Sequence, residues 1–201
     1  MKKLAVYVHG KGGSAAEAEH YVPLLRDYDV VGFDYRAEYP WQAKVEFPPY
    51  FDELARKYEE VLLIADSLGA FLSMSALSER QISRARFISP VVDMEALIGW
   101  LMRGAGVTEA ELRERGQIPT DFGEELSWDY LCYVREHPIH WRVPTDILYA
   151  EHDELIAQET VSAFSQREGA RLTVMPGGEH WFHTDEEMAF LDRWLLSSLQ
   201  N

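Results

Sequence analysis

Short, unbroken apolar runs recur along this chain, each closing in a small or polar loop that leads into a helical stretch. Leu4–Val8, Val30–Asp34, Val61–Ala65, Arg86–Ser89, Asp146–Ala150 and Arg171–Met175 are the six runs. Continuous rather than alternating apolarity fits strands buried on both faces of a sheet, and strands separated by helices make parallel βαβ units. The expected class is therefore α/β, a mostly parallel six-stranded sheet with helices on both faces. Ser14 with Glu17 forms a capping box that predicts a helix toward Tyr28, and Pro48-Pro49 predicts the first turn of a helix through Glu60. A helix follows Ser67 to about Glu79, another runs to about Glu168, and Thr184 with Glu187 caps a last helix whose Met188, Leu191, Leu195 and Leu199 share a face. At 201 residues the expectation is a single domain, 1–201.

Residues 93–142 interrupt the alternation. No strand is expected there, only helical segments at Met94–Met102, Thr108–Arg115 and Leu126–Arg135. A long insertion in an otherwise economical domain reads as a helical lid or cap, against the plainer reading of extra helical cover for the sheet. Composition removes other classes. The formal charge of −15 repels phosphate backbones and anionic lipid, so nucleic acid is not an expected partner. Mean hydropathy is −0.26 and no apolar run approaches the ~18 residues of a spanning helix, so membrane insertion is not expected. Met1-Lys2-Lys3 before Leu4–Val8 imitates a signal peptide, but five apolar residues fall short of the ~7–15 of its hydrophobic region. A lone cysteine, Cys132, and a lone asparagine, Asn201, exclude an internal disulfide and an N-glycosylation acceptor. A cytoplasmic location is expected; the oligomeric state is left open.

In an open parallel sheet the loops from strand to helix emerge at one edge, where ligands bind. Four such loops carry polar chemistry: His9-Gly10-Lys11-Gly12-Gly13, Asp66-Ser67-Leu68-Gly69, Glu151-His152-Asp153 and Gly178-Glu179-His180. A serine hydroxyl is a poor nucleophile near neutral pH until a base takes its proton. Histidine can take that proton and return it to a leaving group, and a carboxylate holds the imidazole in the needed tautomer. Ser67 stands where a strand turns into a helix, so the helix N-terminus offers the Leu68 N–H and a dipole for developing negative charge. The Gly-rich loop offers a second N–H.

These four segments resemble those of the α/β-hydrolase family. Ala65-Asp66-Ser67-Leu68-Gly69 is similar to its nucleophile elbow, G-x-S-x-G; His9–Gly13 resembles its oxyanion loop, Tyr149–Ile156 its acid segment and Gly178-Glu179-His180 its histidine loop. The order Ser67, Asp153, His180 is also the family's order. The resemblance spans essentially the whole chain and departs from the pattern at Ala65, where the family has glycine. It implies a minimal sheet lacking the first two family strands, in spatial order 2-1-3-4-5-6. It also implies a carboxylesterase-like serine hydrolase of small or medium carboxylic esters, with thioesters and short amides as alternatives. Ser67, Asp153 and His180 are then catalytic, and the Lys11 and Leu68 amides form the oxyanion hole. No cofactor and no metal are implied.

Each residue has a plainer role to set beside this one. Ser67 could simply cap its helix. Asp146 and Glu151 compete with Asp153, although Asp146 precedes its strand and belongs at the opposite edge. His183 competes with His180. His9 reads as a loop-organising residue, Asp66 as a surface or supporting carboxylate, and Cys132 as a packed thiol. Lys11 is either solvated or a cation that favours an anionic or polar acyl group. Gly10, Trp100, Met102 and Trp128 are candidate substrate-binding residues, with core packing the equal alternative for the helical aromatics. His137/His140 and His180/His183 invite a zinc reading that no HExxH or CxxC supports. Two further functions share the scaffold: a small-molecule binding protein with little turnover, and an acyltransferase.

Overall fold

Parallel pairing gathers the six apolar runs into one sheet in a computed structural model that describes residues 2–199. Asn201, and with it the glycosylation reading, lies outside the described residues, as does Met1 at the start of the signal-like stretch. In chain order the elements are β1 (Lys3–Val8), a 3-10 helix (Ala15–Tyr21), β2 (Asp29–Gly32), α1 (Pro40–Lys57), β3 (Glu60–Asp66), α2 (Ser67–Ala76) and β4 (Arg84–Ile88). There follow α3 (Met94–Ala105), α4 (Glu109–Arg115), β5 (Gln117–Pro119), β6 (Glu125–Ser127) and α5 (Trp128–Glu136). The chain ends with β7 (Thr145–Ala150), α6 (Gln158–Glu168), β8 (Arg171–Met175) and α7 (Asp185–Leu199). The described residues divide into two compact units, one of them Asp93–Ile139 and the other the remainder.

In the larger unit the strand order is β2-β1-β3-β4-β7-β8, every pairing parallel, which is the order expected from the sequence. Alternate side chains sort to the two faces. Ala5, Tyr7, Leu62, Ile64, Leu148 and Ala150 meet the 3-10 helix and α7 through Ala18, Tyr21, Leu191, Trp194 and Leu195. Their strand neighbours Leu4, Val6, Val61 and Leu63 are equally buried on the other face, where α1 packs on α2 and both contact β3. β1 and β3 are neighbours paired up to Val8 with Ala65, so the loops that follow them leave side by side.

Two helices differ from the sequence expectation. The helix predicted to run from Ser14 to Tyr28 is a 3-10 helix ending at Tyr21. Ser14 N–H does donate to Glu17 Oε1 at 3.0 Å, but β2 presses directly on the segment: a Cβ on Gly32 would lie 1.9 Å from the Ala15 carbonyl oxygen. The predicted start at Pro48-Pro49 is displaced to Pro40, with Gln42 Oε1 accepting from the Glu38 and Tyr39 amides. Pro48 and Pro49 then lie inside α1. The Lys44 and Val45 carbonyls that lose their helical donors belong to exposed residues and can turn to water.

The smaller unit holds α3, α4, α5 and a two-stranded antiparallel ribbon of β5 and β6. That ribbon corrects the expectation of no strand in this segment. Its strands are three residues each, below the length at which apolar alternation is readable, and they turn on Gly123 with φ +84°. Asp93, Thr108 and Ser127 cap the three helices by accepting from the Ala96, Glu111 and Tyr130 amides.

At the edge of the sheet where β4 and β7 begin, Arg86 is 1% exposed yet fully bonded: Nη1 lies 2.8 Å from Asp146 Oδ2, Nε donates to Ser198 Oγ at 2.6 Å and Nη2 to the Ser198 carbonyl at 2.6 Å. Arg171 closes on the other Asp146 oxygen. Removing one member of such a pair strands a buried charge. Asp146→Asn is expected to lower unfolding free energy by about 3 kcal/mol or more, read as a fall in the urea midpoint at unchanged slope.

Candidate active site

β3 ends at Asp66, and α2 begins at Ser67 with φ +44°, a left-handed conformation uncommon for a residue with a side chain. Such a turn persists only if its surroundings over-determine it. Two close approaches do so. A Cβ on Gly69 would lie 2.3 Å from the His9 carbonyl oxygen and 2.5 Å from that of Val8; one on Gly10 would lie 3.1 Å from Ser67 Cβ. The turn and the loop after β1 are therefore in backbone contact, and Val91 N–H donates to the Ser67 carbonyl at 3.1 Å. Ala65, the departure from the family pattern, is a fully buried β3 residue paired with Val8 and Phe87.

Ser67 Oγ lies 2.9 Å from His180 Nε2, and His180 Nδ1 lies 2.6 Å from Asp153 Oδ2. The other Asp153 oxygen accepts from the Leu155 and Ile156 amides at 2.9 and 3.1 Å, and its side chain is fully shielded from solvent. A carboxylate fixed in this way orients the imidazole and keeps the proton on Nδ1, leaving Nε2 as the acceptor for the serine hydroxyl. The competing residues are engaged elsewhere. Asp146 is committed to Arg86 and Arg171, Glu151 Oε2 accepts from the Gly177 amide at 2.7 Å, and His183 Nδ1 lies 2.7 Å from the Trp181 carbonyl oxygen.

A cavity of about 750 Å³ opens on Ser67 and His180, with Gly10, Lys11 and Gly12 along its wall. Leu68 occupies the second position of α2, where an amide has no acceptor within the helix. His9 stacks on Tyr35 with ring centroids 4.4 Å apart, and the Tyr35 hydroxyl donates to the His9 carbonyl at 2.7 Å, so both residues shape the glycine loop. Trp100, Met102 and Trp128 belong to the smaller unit, where Met102 is buried, Trp100 is exposed, and the Arg113 guanidinium lies over the Trp128 ring. Among the described residues no three His, Cys, Asp or Glu side chains gather into a group able to hold a metal ion.

Two features here exceed what the sequence patterns disclose. Glu187, legible only as a capping residue, holds the whole histidine loop: Oε1 accepts from the Glu179 amide at 2.9 Å, and Oε2 from the His183 and Thr184 amides at 3.1 and 3.0 Å and the Thr184 hydroxyl at 2.9 Å. Burial alone would raise its carboxyl, but those donors outweigh it and hold the group down at about 2. Asp66, expected to be a surface or supporting carboxylate, lies in the cavity wall with Oδ2 3.1 Å from the Tyr7 hydroxyl. Its Oδ1 is sealed from solvent and has no hydrogen-bond partner among the described residues. Burial, reinforced by the nearby Glu17 charge and opposed by Tyr7, pushes Asp66 up to about 6.

No protein-family model matches the sequence, and no curated protein matches it. Solved structures do. Alpha/beta hydrolase domain-containing protein 10 from mouse aligns with TM-score 0.75 at 13% identity over 98% of this chain and 89% of its own. Est1E from Butyrivibrio proteoclasticus aligns with TM-score 0.72 at 17% identity over 100% and 89%. The esterase domain of a Rhodothermus marinus protein gives 0.65 at 16% identity over 97% and 85%. The chain thus has the α/β-hydrolase fold.

The Glu187 contacts carry a pH signature. A depressed carboxyl stabilises the fold above its ordinary value near 4.5, and that contribution is lost as pH falls toward about 2. Glu187→Gln is expected to cost about 2–3 kcal/mol at neutral pH. Denaturant titrations should show its deficit against wild type narrowing toward about pH 3.

Proposed function

We propose that the protein is a serine hydrolase of small or medium carboxylic esters. The observation that carries this reading is the continuous hydrogen-bonded series from Ser67 through His180 to Asp153 at the wall of one cavity. The volume of about 750 Å³ lies within the range of small-molecule sites, roughly 300–1,000 Å³. Structures of like fold described as esterases, a thioesterase domain and a monoacylglycerol lipase support the same reaction class.

In the reaction, Ser67 Oγ attacks the acyl carbonyl carbon while His180 Nε2 accepts the hydroxyl proton. The carbonyl oxygen becomes an oxyanion held by the Lys11 and Leu68 amides, the second reinforced by the positive end of α2. Collapse breaks the bond to the alcohol oxygen, and His180 returns its proton to the departing alcohol. Water then attacks the acyl-serine with His180 as base, the acid departs and Ser67 regains its proton. Asp153 remains ionised throughout and stabilises the imidazolium. A thioester follows the same steps with a thiol as leaving group.

A fluorophosphonate probe is expected to label wild type at Ser67 and to leave Ser67→Ala unlabelled. Turnover of short-chain 4-nitrophenyl esters should fall by ~10⁴-fold or more in Ser67→Ala and by about 10³-fold or more in Asp153→Asn. Absence of label on wild type, or undiminished turnover in Ser67→Ala, overturns the mechanism.

A further inference from the structure

The wall of the Ser67 cavity contributed by β1, the 3-10 helix and the end of β3 is short of hydrogen-bond donors. Tyr7, Glu17 and Asp66 all line it. The Tyr7 oxygen lies 2.6 Å from Glu17 Oε2 and 3.1 Å from Asp66 Oδ2. A phenol has one proton to give, so it can satisfy only one of the two carboxylates at a time. The shorter contact assigns that proton to Glu17. Asp66 is left with the longer share of that phenol at Oδ2 and with Oδ1 sealed and without a partner among the described residues. Glu17 keeps a second donor in the Ser14 amide, 3.0 Å from Oε1, but at the Tyr7 hydroxyl two carboxylates converge beside the nucleophile, an arrangement that repels itself until a further positive group or proton arrives.

Other groups at the cavity do not remove the deficit. His20 lines it but lies 2.8 Å from Asp192 Oδ1, a third carboxylate. Trp181 is 75% exposed at the cavity and stacks on His183 with ring centroids 5.2 Å apart, presenting the kind of aromatic face on which cations dock. The remaining wall, with Ile88, Phe182, Met188 and Leu191, is apolar and suits a short hydrocarbon. At longer range the −15 charge of the chain attracts cations and repels anions. Lys11 is the opposing feature, and an anionic ester is the outcome that it would favour.

Building on the serine hydrolase reading, we propose that this site selects esters bearing an ammonium group, which Glu17 and Asp66 bind while Ser67 attacks the carbonyl. The ammonium N–H groups supply the donors that the Tyr7 hydroxyl cannot, and the positive charge offsets the cost of keeping two carboxylates together. In the free protein burial raises the Asp66 carboxyl to about 6, and the nearby Glu17 charge adds to that rise.

Three acyl esters of matched length separate the possibilities: 4-nitrophenyl 6-aminohexanoate, the uncharged heptanoate, and the mono-4-nitrophenyl ester of adipate. At low salt the ammonium ester is expected to exceed the heptanoate in kcat/KM by ~10-fold or more, chiefly through KM, with the adipate below both. The ammonium-to-neutral ratio should fall toward unity in the Glu17→Gln/Asp66→Asn double variant and shrink at about 0.5 M salt. A general loss of folding would not move that ratio. Equal rates for the ammonium and neutral esters, or preference for adipate, overturn the proposal. Calorimetric binding of hexylammonium against 1-hexanol to the Ser67→Ala chain reads the ammonium site without turnover. If no ester is cleaved and no label is taken, the hydrolase reading falls. Tighter binding of hexylammonium would still uphold the ammonium site, and equal or weaker binding would end it.

Discussion

Parallel pairing of β1 with β3 is the constraint on which the rest of this structure depends. It sets the His9–Gly13 loop beside the Ser67 turn, and the two are locked by the absence of side chains at Gly69 and Gly10. A strained serine backbone is tolerable there because the His9 and Val8 carbonyls leave no room for the turn to relax. Local strain is thus held by a sheet whose central strands are buried along all but their ends, where one ladder cannot slip without turning every side chain to the wrong face.

The same sheet separates two kinds of charge. Where β4 and β7 begin, the Arg86 and Arg171 guanidinium groups each close on one oxygen of Asp146, so every charge there is directly bonded. At the other edge lie Asp66, Glu17, Asp153 and His180, where donors and acceptors do not balance. Asp153 is satisfied by two amides and an imidazole, whereas Asp66, at the end of β3, has one shared phenol. Directly bonded charge serves the fold. Imbalance has a folding cost and is retained most economically where a ligand can offset it.

The sheet was legible in the sequence because a strand buried on both faces leaves an unbroken apolar run, and six such runs with helices between them admit few topologies. In such a sheet the loops from strand to helix leave at one edge, which is why Ser67, Asp153 and His180 could be grouped from the sequence, while the strand order followed from the family resemblance. Features without a periodic signal were hidden. The β5–β6 ribbon is too short to alternate, Gly32 cuts the first helix short through contact with Ala15, and α1 runs through Pro48 and Pro49 because Lys44 and Val45 face outward. The first is a matter of length, and the other two are set by tertiary contact and exposure. Within the site, Glu187 looks like any capping glutamate, and its hold on Glu179 depends on how the loop folds back over α7.

That fold-back explains how a histidine on a loop keeps a defined position. His180 follows Gly178 and precedes exposed Trp181, a stretch with little burial of its own. Its placement comes from both ends: Glu187 gathers the amides of Glu179, His183 and Thr184, and the His152 amide donates to the Gly178 carbonyl at 2.8 Å. The second bond ties the histidine loop to the Asp153 loop directly. The carboxylate and the imidazole are therefore positioned as one piece against β7 and α7, while the serine is positioned by β1 and β3. The 2.9 Å contact between Ser67 Oγ and His180 Nε2 joins the serine to that piece across the sheet edge. In the proposed reaction it is the contact at which the acyl group is attacked, and each of its partners is held there by its own anchors.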